Sequence, residues 1–180
     1  MQKRKVDFKY FLDVPGHLTY FDGLLLQQLA EGKRILDIGT HHGRAAAAMA
    51  ATAQEVWTID WGMGDSMIGA PDQSTKERSL DDTGVVMVEA NWVEWFKCRF
   101  DPSDWDMIFY DAAHRPPEPY EKDFLVLVED FPGIVALHDY KPKLSEYGDA
   151  VRAMDDYAKK TGRTMFGPVA GSSIVWFEAL

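Results

Sequence analysis

Short apolar segments alternate with longer amphipathic ones along most of this chain, and this alternation restricts the possible fold more than any other feature. The short segments have the length and the β-branched or aromatic content of buried strands. We predict seven strands, at 34–38, 55–59, 85–88, 105–110, 134–137, 164–166 and 173–177. Helical stretches separate the first five, which is typical of an α/β fold with a doubly wound, mostly parallel sheet. The last two strands are close enough in sequence to form an antiparallel hairpin at the sheet edge.

The helical stretches and the absence of linkers indicate how the chain is organised. We predict helices at 18–30, 44–52, 73–80, 92–98, 120–129 and 145–160. No repeat, low-complexity tract or Pro/Ser-rich linker interrupts the 180 residues, so we expect one domain over 1–180. Residues 1–30 precede the first predicted strand, and we expect them to form a helical cap that contributes to the substrate region.

Charge and composition exclude several classes of partner. The formal net charge is −10, and Lys3-Arg4-Lys5 is a short basic run rather than the long stripe that holds a nucleic-acid backbone. No apolar run approaches the roughly 20 residues that span a bilayer. The basic start lacks the apolar segment of a secretory signal, and the single cysteine, Cys98, cannot form an internal disulfide. We therefore expect a cytoplasmic protein that binds neither nucleic acid nor a membrane.

A glycine-bounded turn follows the first predicted strand, with the spacing Asp37-x-Gly39-x-x-x-Gly43. Glycine at such a turn permits positive φ and leaves no Cβ in the way of an approaching ligand. Gly43 opens a helix that is rich in small residues. The dinucleotide fingerprint G-x-G-x-x-G is absent, so a pyrophosphate site is less well supported. Taken alone, the turn indicates a ligand site or only a tight connection between strand and helix.

Acidic residues stand at the ends of four predicted strands: Asp37, Asp60, Asp111 and Asp139. In an open parallel sheet, ligands bind beyond the carboxyl ends of the strands. Asp60 follows the glycine turn by about 20 residues in the sequence. An acid at this spacing can bind the ribose hydroxyls of a nucleoside. The turn and Asp60 together predict a nucleoside-binding half of the fold. The alternative for Asp60 is a turn residue or a helix N-cap.

Five segments of the sequence resemble motifs of a known family. Residues 35–43, Ile-Leu-Asp-Ile-Gly-Thr-His-His-Gly, resemble the first motif of class I S-adenosylmethionine (SAM)-dependent methyltransferases, and 56–60 resemble their second strand with its ribose-binding acid. Residues 106–114, followed by Tyr-Glu-Lys-Asp at 120–123, resemble a narrower group, the small-molecule O-methyltransferases with an Asp-x-x-His and Tyr-Glu pattern after strand four. Residues 132–139 resemble the end of strand five in the same group.

This resemblance covers about residues 30 to 140 and implies a fold, a cofactor and a reaction. The fold would be a single Rossmann-like sheet with the strand order 3-2-1-4-5-7-6. The cofactor would be SAM, and the reaction would transfer a methyl group to an oxygen of a small-molecule acceptor. The implied cofactor-binding residues are Asp37, Gly39, Thr40, Gly43, Asp60, Trp61, Asn91, Trp92 and Asp111. Asn91 departs from the aspartate that is usual near the adenine, and Trp61 would pack on the adenine or ribose.

Transfer of a methyl group to a hydroxyl requires a base that removes the hydroxyl proton. Histidine is the usual candidate, because its ordinary pKa is the side-chain pKa nearest to neutral pH. His114 is the first candidate for the base and His138 the second, because both lie at predicted strand ends beside Asp111 and Asp139. Those two acids are also candidate ligands of Mg²⁺, which prefers oxygen donors. Metal-dependent O-methyltransferases of the resembled type use acids at these two strand ends. Tyr140 departs from their pattern, and the mixed His/Asp set would suit a transition metal or no metal.

Other functions fit parts of the same pattern. A SAM-binding protein could cleave its cofactor instead of transferring the methyl group, and a non-catalytic module could retain only the nucleoside pocket. An NAD(P)-dependent dehydrogenase shares the half-fold, but the chain lacks the glycine spacing and a clear Tyr-x-x-x-Lys pair. The aromatic-rich composition is compatible with a homodimer. The acceptor itself has no readable motif.

Overall fold

The strands and helices of the chain follow one another in the predicted alternation. The computed structural model describes residues 9–60, 80–112, 120–144 and 147–180. Its seven strands are β1 (Arg34–Ile38), β2 (Glu55–Asp60), β3 (Val86–Glu89), β4 (Met107–Tyr110), β5 (Ile134–Leu137), β6 (Met165–Phe166) and β7 (Val175–Phe177). The helices in these ranges are α1 (Tyr20–Ala30), α2 (Arg44–Ala50), α3 (Trp92–Arg99), α4 (Tyr120–Leu127) and α5 (Gly148–Thr161). Short 3₁₀ turns lie at Tyr10–Leu12 and Pro102–Asp104.

The seven strands form one sheet in the order β3-β2-β1-β4-β5-β7-β6. Strands β1 to β5 pair in parallel, whereas β7 runs antiparallel to both β5 and β6. This confirms the predicted fold class and strand order, including the antiparallel hairpin at the edge. The order reverses between β1 and β4, which is the point where such sheets bind their ligands.

Both faces of the sheet are covered by helices, so the central strands are buried on both sides. Ile35 in β1 packs on the face that is covered by α1 and α2, while its neighbour Leu36 packs on the opposite face. In β4, Phe109 joins the first face and Tyr110 the second. Because successive side chains of a strand point to opposite faces, each central strand contributes to both cores.

Local chemistry sets the ends of the elements and corrects several predicted boundaries. Helix α1 begins at Tyr20 rather than at 18, because Thr19 is its N-cap and forms a reciprocal capping box with Asp22. Helix α5 ends at Thr161, and Gly162, with a φ of 70°, is its left-handed C-cap. Strand β4 begins at Met107 rather than at 105, after the 3₁₀ turn. Both ends of β1 and β5 match the predictions, and the remaining boundaries differ by at most three residues.

Three predictions lie outside the described residues. They are the loop at 61–70 with Trp61, most of the helix at 73–80, and His114 after β4. Within the described ranges, none of the helices combines the length and apolar character required to cross a membrane.

Candidate active site

The carboxyl ends of the four central strands, β2, β1, β4 and β5, lie next to one another at the same end of the parallel strands. Ile38 of β1 is in register with Ile59 of β2 on one side and with Tyr110 of β4 on the other. Tyr110 is in turn in register with Leu137 of β5. The residues that follow these positions therefore lie side by side, as the sequence predicts for a ligand site at the switch point.

The glycine turn packs tightly against the end of β4. Gly39 has a φ of +100°, and a Cβ on it would lie 2.5 Å from the carbonyl oxygen of Asp111. Its N–H donates to the carbonyl of Ile59 at 2.9 Å. Gly43, with a φ of +86°, is the N-cap of α2, and a Cβ there would lie 2.9 Å from the side chain of Leu80. Protein atoms, rather than a ligand, thus occupy the space that these glycines leave.

Asp37 lies under this turn and is fully buried. Its Oδ2 accepts a 2.7 Å hydrogen bond from the Thr58 hydroxyl, which lies 2.6 Å from the hydroxyl of Thr40. Its Oδ1 is buried and has no hydrogen-bond partner among the described residues. Burial raises the pKa of Asp37 well above its ordinary value; the Thr58 hydrogen bond opposes this rise, and the charges of Asp111 and Asp60 add to it. The neutral carboxyl is therefore favoured in the folded chain.

Replacing Asp37 by asparagine is expected to stabilise the protein increasingly as the pH rises. A carboxyl with a raised folded-state pKa contributes stability that is fully present below about pH 3.8 and is lost as the pH rises through the folded value. The difference in Tm between Asp37→Asn and the parent should therefore grow from pH 4 to pH 8 in thermal unfolding. Asp101→Asn is the control, because the Ser103 side-chain hydrogen bond lowers the pKa of this exposed acid. A Tm difference for Asp37→Asn that is independent of pH would contradict the neutral state.

Asp60 is tied to the glycine turn by a backbone hydrogen bond. The N–H of His41 donates to Asp60 Oδ2 at 2.9 Å, and His41 has the left-handed φ of 46°. The His41 ring lies 4.3 Å from the ring of His42 and 5.8 Å from that of His17, between centroids. Burial, His42 and His17 lower the pKa of His41, against the opposing charges of Asp111 and Asp60. The sequence did not indicate His17, because it lies in the irregular segment before α1.

Asn91 and Trp92 take structural positions at the start of α3. The Asn91 Oδ1 accepts hydrogen bonds from the N–H groups of Val93 and Glu94, so Asn91 is the N-cap of the helix. The half-buried Trp92 ring lies 5.6 Å from the ring of Tyr110, in an edge-to-face contact. Strand β3 ends beside Asp60, so both residues lie near the predicted nucleoside position. Their role toward a cofactor stays a prediction.

His138 is the centre of a buried charge cluster. Its Nδ1 lies 3.1 Å from Asp111 Oδ1 and 3.4 Å from Asp139 Oδ1, while its Nε2 lies 3.7 Å from Asp22 Oδ2. Burial alone would lower the pKa of His138, but the charge and hydrogen bond of Asp111, the hydrogen bond of Asp22 and the charge of Asp139 raise it to about 10. At neutral pH the ring is therefore an imidazolium, which has no lone pair with which to take up a proton.

Asp22 reaches this cluster from α1 and was not indicated by the sequence. It is fully buried and accepts hydrogen bonds from the hydroxyl of Ser172 at 2.7 Å and the N–H of Ser173 at 3.0 Å. Burial opposes the charged form, but the hydrogen bonds of His138, Ser172 and Thr19 outweigh it and lower the pKa of Asp22. The capping motif Thr19-x-x-Asp22 is readable in the sequence, whereas the contact with His138 depends on the tertiary fold.

A further residue that the sequence did not indicate is Lys141. Its ammonium group donates to Asp139 Oδ1 and lies 4.5 Å from the centroid of the Tyr147 ring. Asp139 itself has the left-handed φ of 63°, which is uncommon for a residue other than glycine and is often found at functional sites. The end of β5 therefore carries, on an uncommon backbone conformation, a carboxylate next to two protein cations, Lys141 and His138.

Asp111 and Asp139 could also hold a metal ion, and His138 could join them as a ligand only after its ring loses a proton. One ligand atom from each lies within 4.8 Å of the others, in the part of the chain that the structure describes. Two carboxylates are hard donors that suit Mg²⁺ or Mn²⁺, and water would complete the coordination. The donor set therefore fits the divalent ion that the sequence predicts at Asp111 and Asp139.

The strand order 3-2-1-4-5-7-6, with helices on both faces, defines the class I methyltransferase fold. No protein-family model matches the sequence, and none of the curated proteins matches it. Solved structures do match it in fold. The cofactor-bound structure of Rv0187 from MTB superimposes with a TM-score of 0.70 at 14% identity, covering 99% of this chain and 99% of the other.

Two further structures are similar. The O-methyltransferase from Bacillus cereus, in complex with SAH, has a TM-score of 0.63 at 15% identity over 99% of this chain and 93% of its own. The O-methyltransferase TomG from Streptomyces achromogenes, involved in tomaymycin synthesis and in complex with SAM, has a TM-score of 0.64 at 16% identity over 97% of this chain and 87% of its own. At such identities the likeness shows the fold, and function must be argued from the site.

Proposed function

We propose that this protein is a SAM-dependent methyltransferase that transfers a methyl group to an oxygen of a small-molecule acceptor. The observation that carries this proposal is the hydrogen bond between the His41 N–H and Asp60, which joins the glycine turn to the acid at the end of β2. The cluster of Asp111, His138 and Asp139 lies at the same edge of the sheet. The SAM and SAH complexes of the two O-methyltransferases with this fold support the choice of cofactor.

The residues proposed to hold SAM are those at the ends of β1 to β4: Asp37, Gly39, Thr40, Gly43, Asp60, Trp61, Asn91, Trp92 and Asp111. The buried, unpartnered Oδ1 of Asp37 supports a polar group of a ligand at the turn. When bound, SAM supplies an activated methyl group. The protein has to position the acceptor and remove its proton.

The proton would be taken up by His114, three residues after Asp111 in the sequence. His138 is poorly suited to this task, because it is held between carboxylates as an imidazolium. We infer that His138 instead orients Asp111, whose side chain is 22% exposed and can reach a ligand. Asp111 would then position the acceptor or the His114 ring, as a carboxylate orients a base in other enzymes.

Asp111 and Asp139 would hold Mg²⁺ or another divalent ion. Such an ion would lower the pKa of an acceptor hydroxyl and fix its position. We propose a small acceptor rather than nucleic acid, since the formal net charge of −10 disfavours a polyanion. The N-terminal segment would line the acceptor site, because Asp22 of α1 reaches the His138 cluster. A cytoplasmic location and a homodimer complete the proposal, in which the exposed ring of Phe21 on α1 would contact the second copy.

Calorimetric titration with SAM tests the proposal. Asp60→Ala is expected to weaken SAM binding about tenfold or more, because hydrogen bonds to a charged acceptor are worth about 1.5–3 kcal/mol. Asp156→Ala is the matched control, since this exposed acid lies on α5, outside the proposed site. Absence of SAM binding by the parent protein at millimolar cofactor would contradict the proposal. Methylthioadenosine instead of SAH as the product would show cofactor cleavage rather than methyl transfer.

A further inference from the structure

The ammonium group of Lys141 already occupies one of the two carboxylates that are proposed to hold the divalent ion. It donates to Oδ1 of Asp139, and the same oxygen lies 3.4 Å from Nδ1 of His138. The Asp139 carboxylate is buried, whereas the Lys141 side chain is 32% exposed. A cation that binds this oxygen therefore lies close to the positive charge of Lys141.

The ion pair between Lys141 and Asp139 opposes the binding of a divalent ion to Asp139, because the two cations would repel each other. A divalent ion on Asp139 would take the oxygen that Lys141 now uses, and two cations a few ångströms apart repel each other strongly where water is partly excluded. Ordinary salt screens such a contact only weakly when one partner is buried. For the ion to bind, the Lys141 ammonium has to leave Asp139.

The Lys141 ammonium has a second partner besides Asp139 in this position. Its ammonium lies 4.5 Å from the centroid of the Tyr147 ring, a contact that stabilises a cation without a carboxylate. The four-carbon stem of lysine is flexible, and the partly exposed side chain keeps access to water. The ammonium can therefore move off Asp139 without being buried unpaired.

We propose that Lys141 is an internal competitor of the divalent ion, so that ion binding at Asp139 and release of the Lys141 ammonium are one coupled event. This inference rests on the proposed function, since it assumes the ion site formed by Asp111 and Asp139. It goes beyond that site in naming the residue that sets its affinity. Lys141 binds the Asp139 carboxylate while the ion is absent, and its ammonium is displaced from that carboxylate when the ion binds.

Titration with Mn²⁺, followed by the electron paramagnetic resonance signal of the free ion, measures the competition directly. Lys141→Met is expected to bind Mn²⁺ about tenfold more tightly than the parent. Lys141→Arg keeps the charge and should bind as weakly as the parent. Lys143→Met is the matched control, because it removes the same charge from an exposed position two residues further on. It should leave the Mn²⁺ affinity nearly unchanged.

The other possible outcomes distinguish a failure of the inference about Lys141 from a failure of the proposed SAM-dependent function. Equal or weaker Mn²⁺ binding by Lys141→Met, or an equal gain in Lys143→Met, would overturn the competition. Adding Asp139→Asn to Lys141→Met should abolish the tighter binding; if it persists, the ion binds elsewhere and the inference is wrong. Titration of the same variants with SAM reports on the proposed cofactor site independently, so loss of the Mn²⁺ effect with intact SAM binding contradicts only the inference about Lys141.

Discussion

Replacing His138 by glutamine is expected to lower the free energy of unfolding by about 3 kcal/mol at pH 7 in the metal-free protein, because removing one partner of a buried pair leaves the other charge uncompensated. The carboxylate left behind is Asp22, which is fully buried and lies 3.7 Å from His138 Nε2. Asp111 loses its charged partner in the same variant. Denaturation by urea, with and without the substitution, measures the loss.

The pH dependence of stability gives a sharper form of this prediction. Because the pKa of His138 is raised, the contribution of this residue to the stability of the fold is fully present below about pH 6.5 and is lost as the pH rises through about 10. The lowered pKa of Asp22 gives a contribution that is present above about pH 3.8 and is lost as the pH falls. His138→Gln should therefore remove much of the alkaline decline between pH 7 and pH 10. His17→Gln, at an exposed histidine, is the control, and an unchanged alkaline decline in His138→Gln would contradict the assignment.

Replacing Gly39 by alanine is expected to cost more than about 3 kcal/mol of unfolding free energy, since a steric clash adds to an unfavourable φ. The added Cβ would lie 2.5 Å from the backbone oxygen of Asp111, and backbone at a buried strand end cannot move aside cheaply. Any protein that still folds should have lost most of its SAM affinity, because the turn and the end of β4 would be pushed apart.

Gly32→Ala is the matched control for this substitution. Gly32 also has a positive φ, of +69°, but a Cβ there would have nothing within 4 Å. Alanine at this position should therefore cost only the conformational term, about 1–2 kcal/mol. Chemical denaturation of both variants separates the two contributions. Equal losses in Gly39→Ala and Gly32→Ala would show that the close approach to Asp111 does not constrain the turn.

Most of the fold could be predicted from the sequence, because the features that determine it are local. Each central strand is a short apolar run that is bounded by a turn or an acid, and each helix has its own period and cap. The strand order came from the resemblance rather than from these patterns. The structure confirms that order and moves individual boundaries by a few residues, as at Thr19 and Met107, where caps and turns decide.

The candidate site could be predicted only in part, because contacts between distant residues leave no periodic pattern. Asp111, His138 and Asp139 were indicated by their positions at strand ends, and they lie together. The role of Asp22 could not be predicted, since its sequence context indicates only a helix cap. The contact of Lys141 with Asp139 could not be predicted either, since a lysine in a loop usually indicates a solvated surface.

The environment of an ionisable residue was equally hard to predict. His138 stands at a strand end, as a catalytic base would, and its sequence neighbours do not indicate its protonation state. The carboxylates on either side of the ring decide that state, and one of them, Asp22, belongs to a helix far away in the sequence. A pKa near 10 instead of 6.5 thus follows from the tertiary fold.

The hydrogen bonds of Asp22 have a consequence for the order in which the protein matures during synthesis. Asp22 can accept the hydrogen bond of Ser172 only after the ribosome has added 150 further residues. Strand β7, which lies between β5 and β6 in the sheet, follows shortly after Ser172 in the sequence. Until Ser172 and Ser173 are present, the Asp22 carboxylate of α1 lacks two of its hydrogen-bond donors. At elongation rates of about 5–20 residues per second, the hydrogen bonds of Asp22 to Ser172 and Ser173 cannot form until many seconds after Asp22 has been synthesised.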